Sequence, residues 1–302
     1  MTAELDAAFD LFLYWLRETR GLAFQSAETA SELVTARDGE AHLTTAIRSL
    51  LPSDNPKFNG QRETLESLIA YDLPARVALW CPAGAALPSE EPDVSEFAAM
   101  VRQSALKLGP HERSHVPLPA KLFLRKNSDS GGVISVTGGL NPHWARFTDR
   151  VRGQYDLDST QLRRLPESED HLESLLDAIV QRTQTLDVGQ YATIDTIDAW
   201  TLQRLSGDGG VTIVGVQPTV AAEGGIAVRR NLRRILTETT ALREMPDTLR
   251  ALVVLGYYPR IEMEGATVAM RGFEPSLYSG IDYVVLVTDG LVKPLIEPAR
   301  PR

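Results

Sequence analysis

The chain has 302 residues and a formal net charge of −9, and hydrophobic residues make up 43% of it. This balance predicts a folded chain of one large domain or two ordinary ones, and it excludes an intrinsically disordered protein. The negative charge disfavours general attraction to nucleic acid or anionic lipid, although a local basic patch remains compatible with it.

The compartment follows from cysteine use and from the N-terminus. The single cysteine, Cys81, cannot form an internal disulfide, which is typical of a reducing compartment. The first residues are acidic, whereas a signal peptide starts with basic ones. The apolar run at residues 11–16 is far shorter than the ~20 residues that span a membrane. We therefore expect a cytoplasmic protein without a membrane segment. Its preference for arginine over lysine is typical of GC-rich bacteria.

The first predicted element is a helix rich in aromatic residues. Leu5, Phe9, Phe12 and Leu16 recur at helical spacing. Trp15 and its neighbours make the second half apolar on nearly every side. Because this is more apolar surface than one packing face needs, we predict that Phe9, Phe12 and Trp15 contact a protein partner.

Helices dominate the prediction for the N-terminal third, and strands enter after it. Further helices are predicted over residues 27–36, 40–51, 62–71 and 94–108, with a buried strand at residues 76–81. Strands at residues 121–125 and 133–137 are predicted to form a hairpin across a turn-rich segment. The remaining helices are predicted at residues 167–183, 196–205 and 226–244, and the remaining strands at residues 211–216, 251–257, 266–271 and 283–287.

This order of elements predicts an α/β (or α+β) fold, because alternating helices and strands give a sheet covered by helices. We expect a mainly helical N-terminal region over residues 1–110. An α/β region with a mixed sheet flanked by helices is expected over residues 111–302.

The sharpest local motif is a pair of histidines four residues apart, His111 and His115, with Glu112 between them. On a helix this spacing places two imidazoles on one face, where they bind zinc, and the glutamate acts as general base. Prolines at positions 110 and 117 leave little room for such a helix, however. The alternative interpretation is a polar surface turn that joins a helix to a strand.

A second candidate site is the predicted helix at residues 226–244, which follows Gly224 and Gly225. It carries four arginines, Arg229, Arg230, Arg233 and Arg234. A glycine-rich start to a helix together with arginines is suited to contact with phosphate or nucleic acid. The apolar stripe of this helix lies elsewhere, at Val228, Leu232, Ile235, Leu236 and Leu242. The alternative interpretation is that the arginines simply form a solvated face.

Four aspartates at predicted element ends, Asp195, Asp198, Asp282 and Asp289, are a weaker candidate for a metal site. Each also has a local alternative, since aspartate caps helices and forms turns. No serine lies in a G-x-S-x-G motif, and no phosphate-binding loop of the G-x-x-x-x-G-K-[S/T] type occurs.

These patterns favour a non-catalytic interaction or accessory subunit of a bacterial intracellular assembly, without a cofactor. We expect a protein partner, and the arginines at residues 229–234 and 146–152 make nucleic acid a further possible partner. The alternative is a metal-dependent hydrolase, either a nuclease or a zinc enzyme, based on the histidine pair and the aspartates. A nucleotide-binding regulator that uses Gly224 and Gly225 is a third hypothesis.

Overall fold

The computed structural model describes residues 1–30, 33–51, 55–71, 73–166, 168–216, 225–246, 248–256 and 270–298. By its internal contacts the chain divides into two units. Unit 1 comprises Met1–Ser114 and Thr201–Arg302, and unit 2 comprises His115–Trp200. The described residues contain six α-helices and twelve strands. The predicted α/β class is confirmed, because helices accompany mixed sheets in this chain.

Helix α1 (Ala3–Arg20) forms where the sequence predicts it, because both of its ends are capped. The Thr2 side chain accepts a hydrogen bond from the backbone N–H of Leu5 at 3.5 Å, and Gly21 ends the helix with a φ of 69°. Glycine adopts that left-handed conformation without the steric cost that a side chain would add. The apolar side of α1 is buried in the core of unit 1.

The larger sheet of unit 1 has six strands, which are β1 (Gln25–Ala30), β2 (Leu33–Asp38), β3 (Ala41–Ser49), β10 (Leu249–Leu255), β11 (Tyr283–Thr288) and β12 (Leu291–Ile296). Their order in the sheet is β1-β2-β3-β10-β11-β12. The central strands β3, β10 and β11 are parallel, and the outer pairings are antiparallel. Helix α1 packs on one face, and α5 (Gly225–Glu238) and α6 (Thr240–Arg243) pack on the other.

The helices predicted at residues 27–36 and 40–51 are wrong, because these residues form strands β1, β2 and β3. Strand β3 is buried on both faces over residues 43–47, so it lacks the polar alternation that marks a strand. Its parallel register with β10 places Thr44 opposite Arg250. Because β3 pairs with a strand about 200 residues away, its local sequence carries no pattern that identifies its partner.

Other predictions for unit 1 are confirmed with shifted ends. Helix α2 (Pro56–Ala70) begins earlier than predicted, because the Asn55 side chain accepts hydrogen bonds from the N–H groups of Lys57 and Phe58. Helix α3 (Asp93–Ala105) and strand β4 (Val77–Trp80) lie where they are expected. Of the strand predicted at residues 266–271, residues 266–269 lie outside the described residues, and residues 270–271 are not in a strand.

A smaller group of strands completes unit 1. Strand β4 pairs in parallel with β9 (Val211–Val214) and antiparallel with residues 201–204 of β8 (Tyr191–Arg204). The order of strands places β9 at the edge. There the Glu66 carboxylate on α2 accepts a hydrogen bond from the backbone N–H of Ile213 at 2.7 Å. The carboxylate thus accepts a hydrogen bond from a backbone N–H group that would otherwise be unpaired at the edge of the sheet.

Replacement of Glu66 by glutamine is expected to stabilise the protein near neutral pH. Burial raises the pKa of Glu66, so the folded state favours the protonated carboxyl more than the unfolded state does. Stability therefore falls as pH rises from the ordinary value of 4.5 through the raised pKa. Glutamine keeps an oxygen acceptor for Ile213 and cannot ionise. We expect a gain below about 1 kcal/mol, because the side chain is only partly buried.

Urea denaturation from about pH 4 to about pH 8 measures this effect. The E66Q difference should grow with pH and vanish in acid. Glu63→Gln, on the exposed side of the same helix, controls for the loss of a negative charge. A Glu66→Gln protein that is destabilised equally at every pH would contradict this explanation.

In the described part of unit 2, helices cover one face of a sheet. It is formed by β5 (Arg113–Ser128), β6 (Gly132–Gly138), β7 (Gly153–Ser159) and β8, and the strands follow the order β6-β7-β5-β8. Helix α4 (Glu169–Thr183) and a 3-10 helix (Asn141–Phe147) cover the inner face, around Phe147, Leu176 and Ile179. Strands β5 and β8 carry the chain across the boundary with unit 1.

Two predictions for unit 2 are wrong. Residues 196–205, predicted as a helix, belong mostly to strand β8, in which Asp198 and Trp200 are buried and Ile197 is exposed. Strands β5 and β6 do not form a hairpin, since β7 lies between them and runs parallel to β6. The turn-rich loop between β5 and β6 resembles a hairpin loop locally, but it does not determine which strands pair.

Candidate functional site

The aromatic residues of α1, predicted to contact a partner, lie mainly inside unit 1. Phe9 and Phe12 have exposed fractions of 4% and 0%. The Phe12 ring lies 6.1 Å from the Trp15 ring and 6.3 Å from the Tyr283 ring of β11. Trp15 is partly buried against the same cluster. The apolar surface assigned to a partner is therefore covered by the chain's own sheet, and Phe9 and Phe12 offer no free surface.

The arginines of α5 interact with neighbouring groups of the same unit. Arg229 and Arg233 lie over the Phe273 ring, at 4.7 Å and 5.1 Å from its centre. Arg234 pairs with Glu238 at 2.8 Å, and Arg230 is exposed on the helix. The predicted apolar stripe is buried as expected. Contact of Arg229, Arg230, Arg233 and Arg234 with nucleic acid stays a prediction.

The two histidines do not share a helix. His111 lies in a turn with a φ of 58°, and His115 is an exposed residue of strand β5. The helical spacing that places two imidazoles on one face is therefore missing, and the surface-turn interpretation describes the segment. Among the described residues, no group of three or more histidine, cysteine, aspartate or glutamate side chains is arranged to hold a metal ion.

His111 instead lines a small pocket in unit 1. Its ring stacks on Tyr14 of α1, with ring centres 3.8 Å apart and planes 7° from parallel. Its Nε2 atom lies 3.4 Å from the Ser206 hydroxyl. The Ser206 backbone N–H donates to the Asp10 carboxylate at 3.0 Å. The pocket has a volume of about 190 Å³, and it is lined by Asp10, Leu13, Tyr14, Arg17, Ala23, Phe24, Gln25, His111 and Ser206.

The outer face of the unit 2 sheet is an exposed surface formed by four strands. Residues alternate strictly between core and solvent along β7, where Tyr155 and Leu157 are buried and Asp156 and Asp158 are exposed. We call this surface the open face. Its exposed residues are Lys121, Phe123, Arg125, Asn127, Val133, Ser135, Thr137, Gln154, Asp156, Asp158, Tyr191, Asp195 and Ile197.

Large apolar side chains on the open face are unusually exposed. The exposed fractions are 38% for Phe123, 44% for Val133, 76% for Tyr191 and 60% for Ile197. Phe123 and Tyr191 both line a shallow depression of about 470 Å³. Large apolar side chains exposed on one face, with charged residues among them, are typical of a protein interaction surface.

Charges on the open face form two adjacent rows of opposite sign. Strand β5 carries Lys121 and Arg125, and its neighbour β7 carries Asp156 and Asp158. In the antiparallel register Arg125 lies opposite Asp156. A surface with a basic row beside an acidic row is complementary to itself when a second copy is rotated onto it.

Neither the open face nor the His111 pocket is assigned from the sequence. Alternation over residues 153–159 carries a signal for the open face, since polar Gln154, Asp156 and Asp158 interleave with apolar Tyr155 and Leu157. The pocket carries no such signal, because its residues come from three distant segments.

No similarity to a known protein indicates the function of this chain. The chain matches no family model, and searches of curated proteins and of solved structures found no match. In the described part of the chain, no helix has the length and apolar character needed to cross a membrane.

Proposed function

We propose that this chain is an interaction protein, a subunit of a bacterial intracellular assembly, and that the open face of unit 2 is its contact surface. The observation that carries the proposal is the exposure of four large apolar side chains on a sheet face whose other side is covered by helices. Tyr191, at 76% exposure, is the most exposed of them. Tyrosine is enriched in protein interfaces, where its ring packs and its hydroxyl stays hydrated.

The partner that best fits the open face is a second copy of the chain. A two-fold axis parallel to the strands, midway between β5 and β7, places Arg125 of one copy over Asp156 of the second, because these residues are opposite in the register. The reciprocal pair forms at the same time, as the symmetry requires. On this axis strand β8, which carries Tyr191, lies over strand β6 of the second copy, which carries Val133.

The charge balance favours protein over nucleic acid as the partner of this surface. The open face carries the acidic residues Asp156, Asp158 and Asp195 against the basic residues Lys121 and Arg125. The negative charges of a phosphate backbone would be repelled by this excess of acidic residues, which disfavours nucleic-acid binding. The arginines of residues 146–152 do not alter this, since Arg146 and Arg150 form ion pairs with acidic side chains of α4.

Dimensions of the open face indicate a weak and reversible contact. Strand spacing of ~4.8 Å and a rise of ~3.3 Å per residue give a face of about 20 Å by 25 Å. Two such faces bury about 1,000 Å², which is the lower end of specific protein interfaces. We therefore expect dissociation constants in the micromolar range.

Sedimentation equilibrium of the full chain, from micromolar to near-millimolar concentration, tests the proposal. We expect the average mass to rise from monomer towards dimer, and Tyr191→Asp to abolish the rise. Tyr71→Asp is a matched control, because Tyr71 is a comparably exposed tyrosine (69%) outside unit 2. A mass that stays monomeric throughout, or a Tyr191→Asp protein that dimerises like the wild type, would refute it.

A further inference from the structure

Three distant segments meet at the His111 pocket and bring a hydroxyl, an imidazole and a carboxylate together. Ser206 follows strand β8, His111 precedes strand β5, and Asp10 belongs to α1. The contacts are Ser206 Oγ to His111 Nε2 at 3.4 Å and the Ser206 N–H to Asp10 Oδ2 at 3.0 Å. All three residues lie in unit 1.

His111 is unusual in two independent respects. Its φ of 58° lies in the left-handed region, which is costly for a residue with a side chain. Its Nδ1 atom is buried and has no hydrogen-bond partner among the described residues. A strained backbone and an unsatisfied buried polar atom at one residue that lines a pocket are typical of functional sites.

We propose that Ser206 and His111 form a nucleophile and general-base pair that hydrolyses small carboxylic esters. A pocket of about 190 Å³ holds about six water volumes, which is room for a short acyl chain. Leu13 and Phe24 supply an apolar lining for it. This activity goes beyond the proposed interaction function and uses different residues in the other unit.

The reaction requires only the two side chains, the ester and water. The Ser206 oxygen attacks the ester carbonyl while His111 Nε2 takes the hydroxyl proton, and the protonated imidazole passes that proton to the departing alkoxide. Water then attacks the carbonyl carbon of the acyl-enzyme while His111 Nε2 takes its proton, the bond from that carbon to Ser206 Oγ breaks, and the imidazole returns the proton to Oγ, which releases the carboxylic acid. This cycle requires the neutral His111 tautomer with its proton on Nδ1.

The surroundings of the pair support these roles. Gly207, Gly209 and Gly210, which follow Ser206, have φ values of 93°, 48° and 101°. The Gly207 and Gly210 carbonyls accept hydrogen bonds from the N–H groups of Arg76 and Val77, which fixes the turn that carries Ser206 against the start of β4. Asp10 is a positioning residue, because its carboxylate accepts a hydrogen bond from the Ser206 backbone and not from an imidazole nitrogen in the described part of the chain.

The ionisation of His111 is governed by burial and by four charged neighbours. Burial lowers the pKa of His111, Asp10 and Glu18 raise it, and Arg17 and Arg204 lower it. The net lowering keeps the imidazole neutral at neutral pH, as a general base must be. We therefore expect activity to fall in acid with a midpoint below the ordinary value of 6.5.

The test uses a fluorophosphonate probe and p-nitrophenyl acetate with the full chain. We expect the probe to attach to Ser206, located by peptide mass spectrometry, and Ser206→Ala to abolish the adduct. His111→Asn should slow labelling about 100-fold or more, since asparagine tolerates the left-handed conformation but is no base. Ser279→Ala, an exposed serine elsewhere in unit 1, is the matched control.

Thermal unfolding confirms that the variants fold before labelling is compared. No adduct on Ser206, labelling at an unchanged rate in His111→Asn, or a labelling rate independent of pH would each overturn the proposal. Tyr191→Asp should label at the wild-type rate, so failure of the dimer proposal and failure of this one are separately visible.

Discussion

Asp198→Ala is expected to destabilise unit 2 by about 2–5 kcal/mol, because it leaves two buried backbone N–H groups without their acceptor. Asp198 is 4% exposed and Arg164 is 2% exposed. The Asp198 carboxylate accepts hydrogen bonds from the backbone N–H groups of Arg164 at 2.9 Å and Ala199 at 3.0 Å. The substitution removes the acceptor of both donors and leaves them buried.

Asp198→Asn is the matched control, since it keeps an oxygen acceptor for the two N–H groups and loses only the charge. Burial raises the pKa of Asp198, because desolvation disfavours the charged carboxylate. The neutral asparagine side chain does not carry this desolvation cost. We expect the asparagine variant to lie clearly between the wild type and alanine in urea denaturation. An alanine variant within about 0.5 kcal/mol of the wild type would show that these hydrogen bonds do not hold the β8 strand in place.

Phe12→Ala is the second substitution with a large expected effect, a loss of about 3–5 kcal/mol. Phe12 is fully buried in the core of unit 1 and contacts the rings of Trp15 and Tyr283. The cavity left by the ring adds to the lost burial of apolar surface. Chemical denaturation of the isolated chain measures the loss.

The same experiment distinguishes a core role for the Phe12 ring from the contact with a partner that the sequence predicts. If its ring served a partner, the isolated chain would lose less than about 1 kcal/mol. Leu106→Ala is the control, because Leu106 is 63% exposed on the same unit and should change stability little.

Elements with strong local signals are predictable from the sequence. The spacing of Phe9 and Phe12 predicts helix α1, and Val228, Leu232 and Ile235 predict the buried stripe of α5. Strand β11 is predictable because it is a short run of β-branched and leucine residues. In each case neighbouring residues determine the structure, and the tertiary environment agrees with the local preference.

Predictions that depend on distant pairing fail for one physical reason. Strand β3 pairs with β10, and β7 inserts between β5 and β6. Nothing in the local sequence of these strands encodes the partner, because backbone hydrogen bonds are the same for every residue type. The return of the chain to unit 1 after Trp200 is unpredictable on the same grounds.

The candidate sites show the same division. The sequence motif suggests a metal role for His111 that its turn does not support, yet its position next to Ser206 and Asp10 depends on contacts across about 100 residues or more. The open face depends on the register of β5 with β7. The alternation of polar and apolar residues along β7 is visible in the sequence. Which face of the sheet is buried depends on where α4 packs.

Mixing two charge-reversed chains tests the proposed interface most directly. Arg125→Glu and Asp156→Arg each place like charges in both reciprocal pairs, so neither variant should dimerise alone. Mixed together, they restore both pairs, because the introduced glutamate lies over the introduced arginine and the native Asp156 of one chain lies over the native Arg125 of the other. Sedimentation should therefore show a mixed dimer and two monomeric parents. Parents that dimerise as well as the wild type, or a mixture that stays monomeric, would contradict the two-fold contact of the open face.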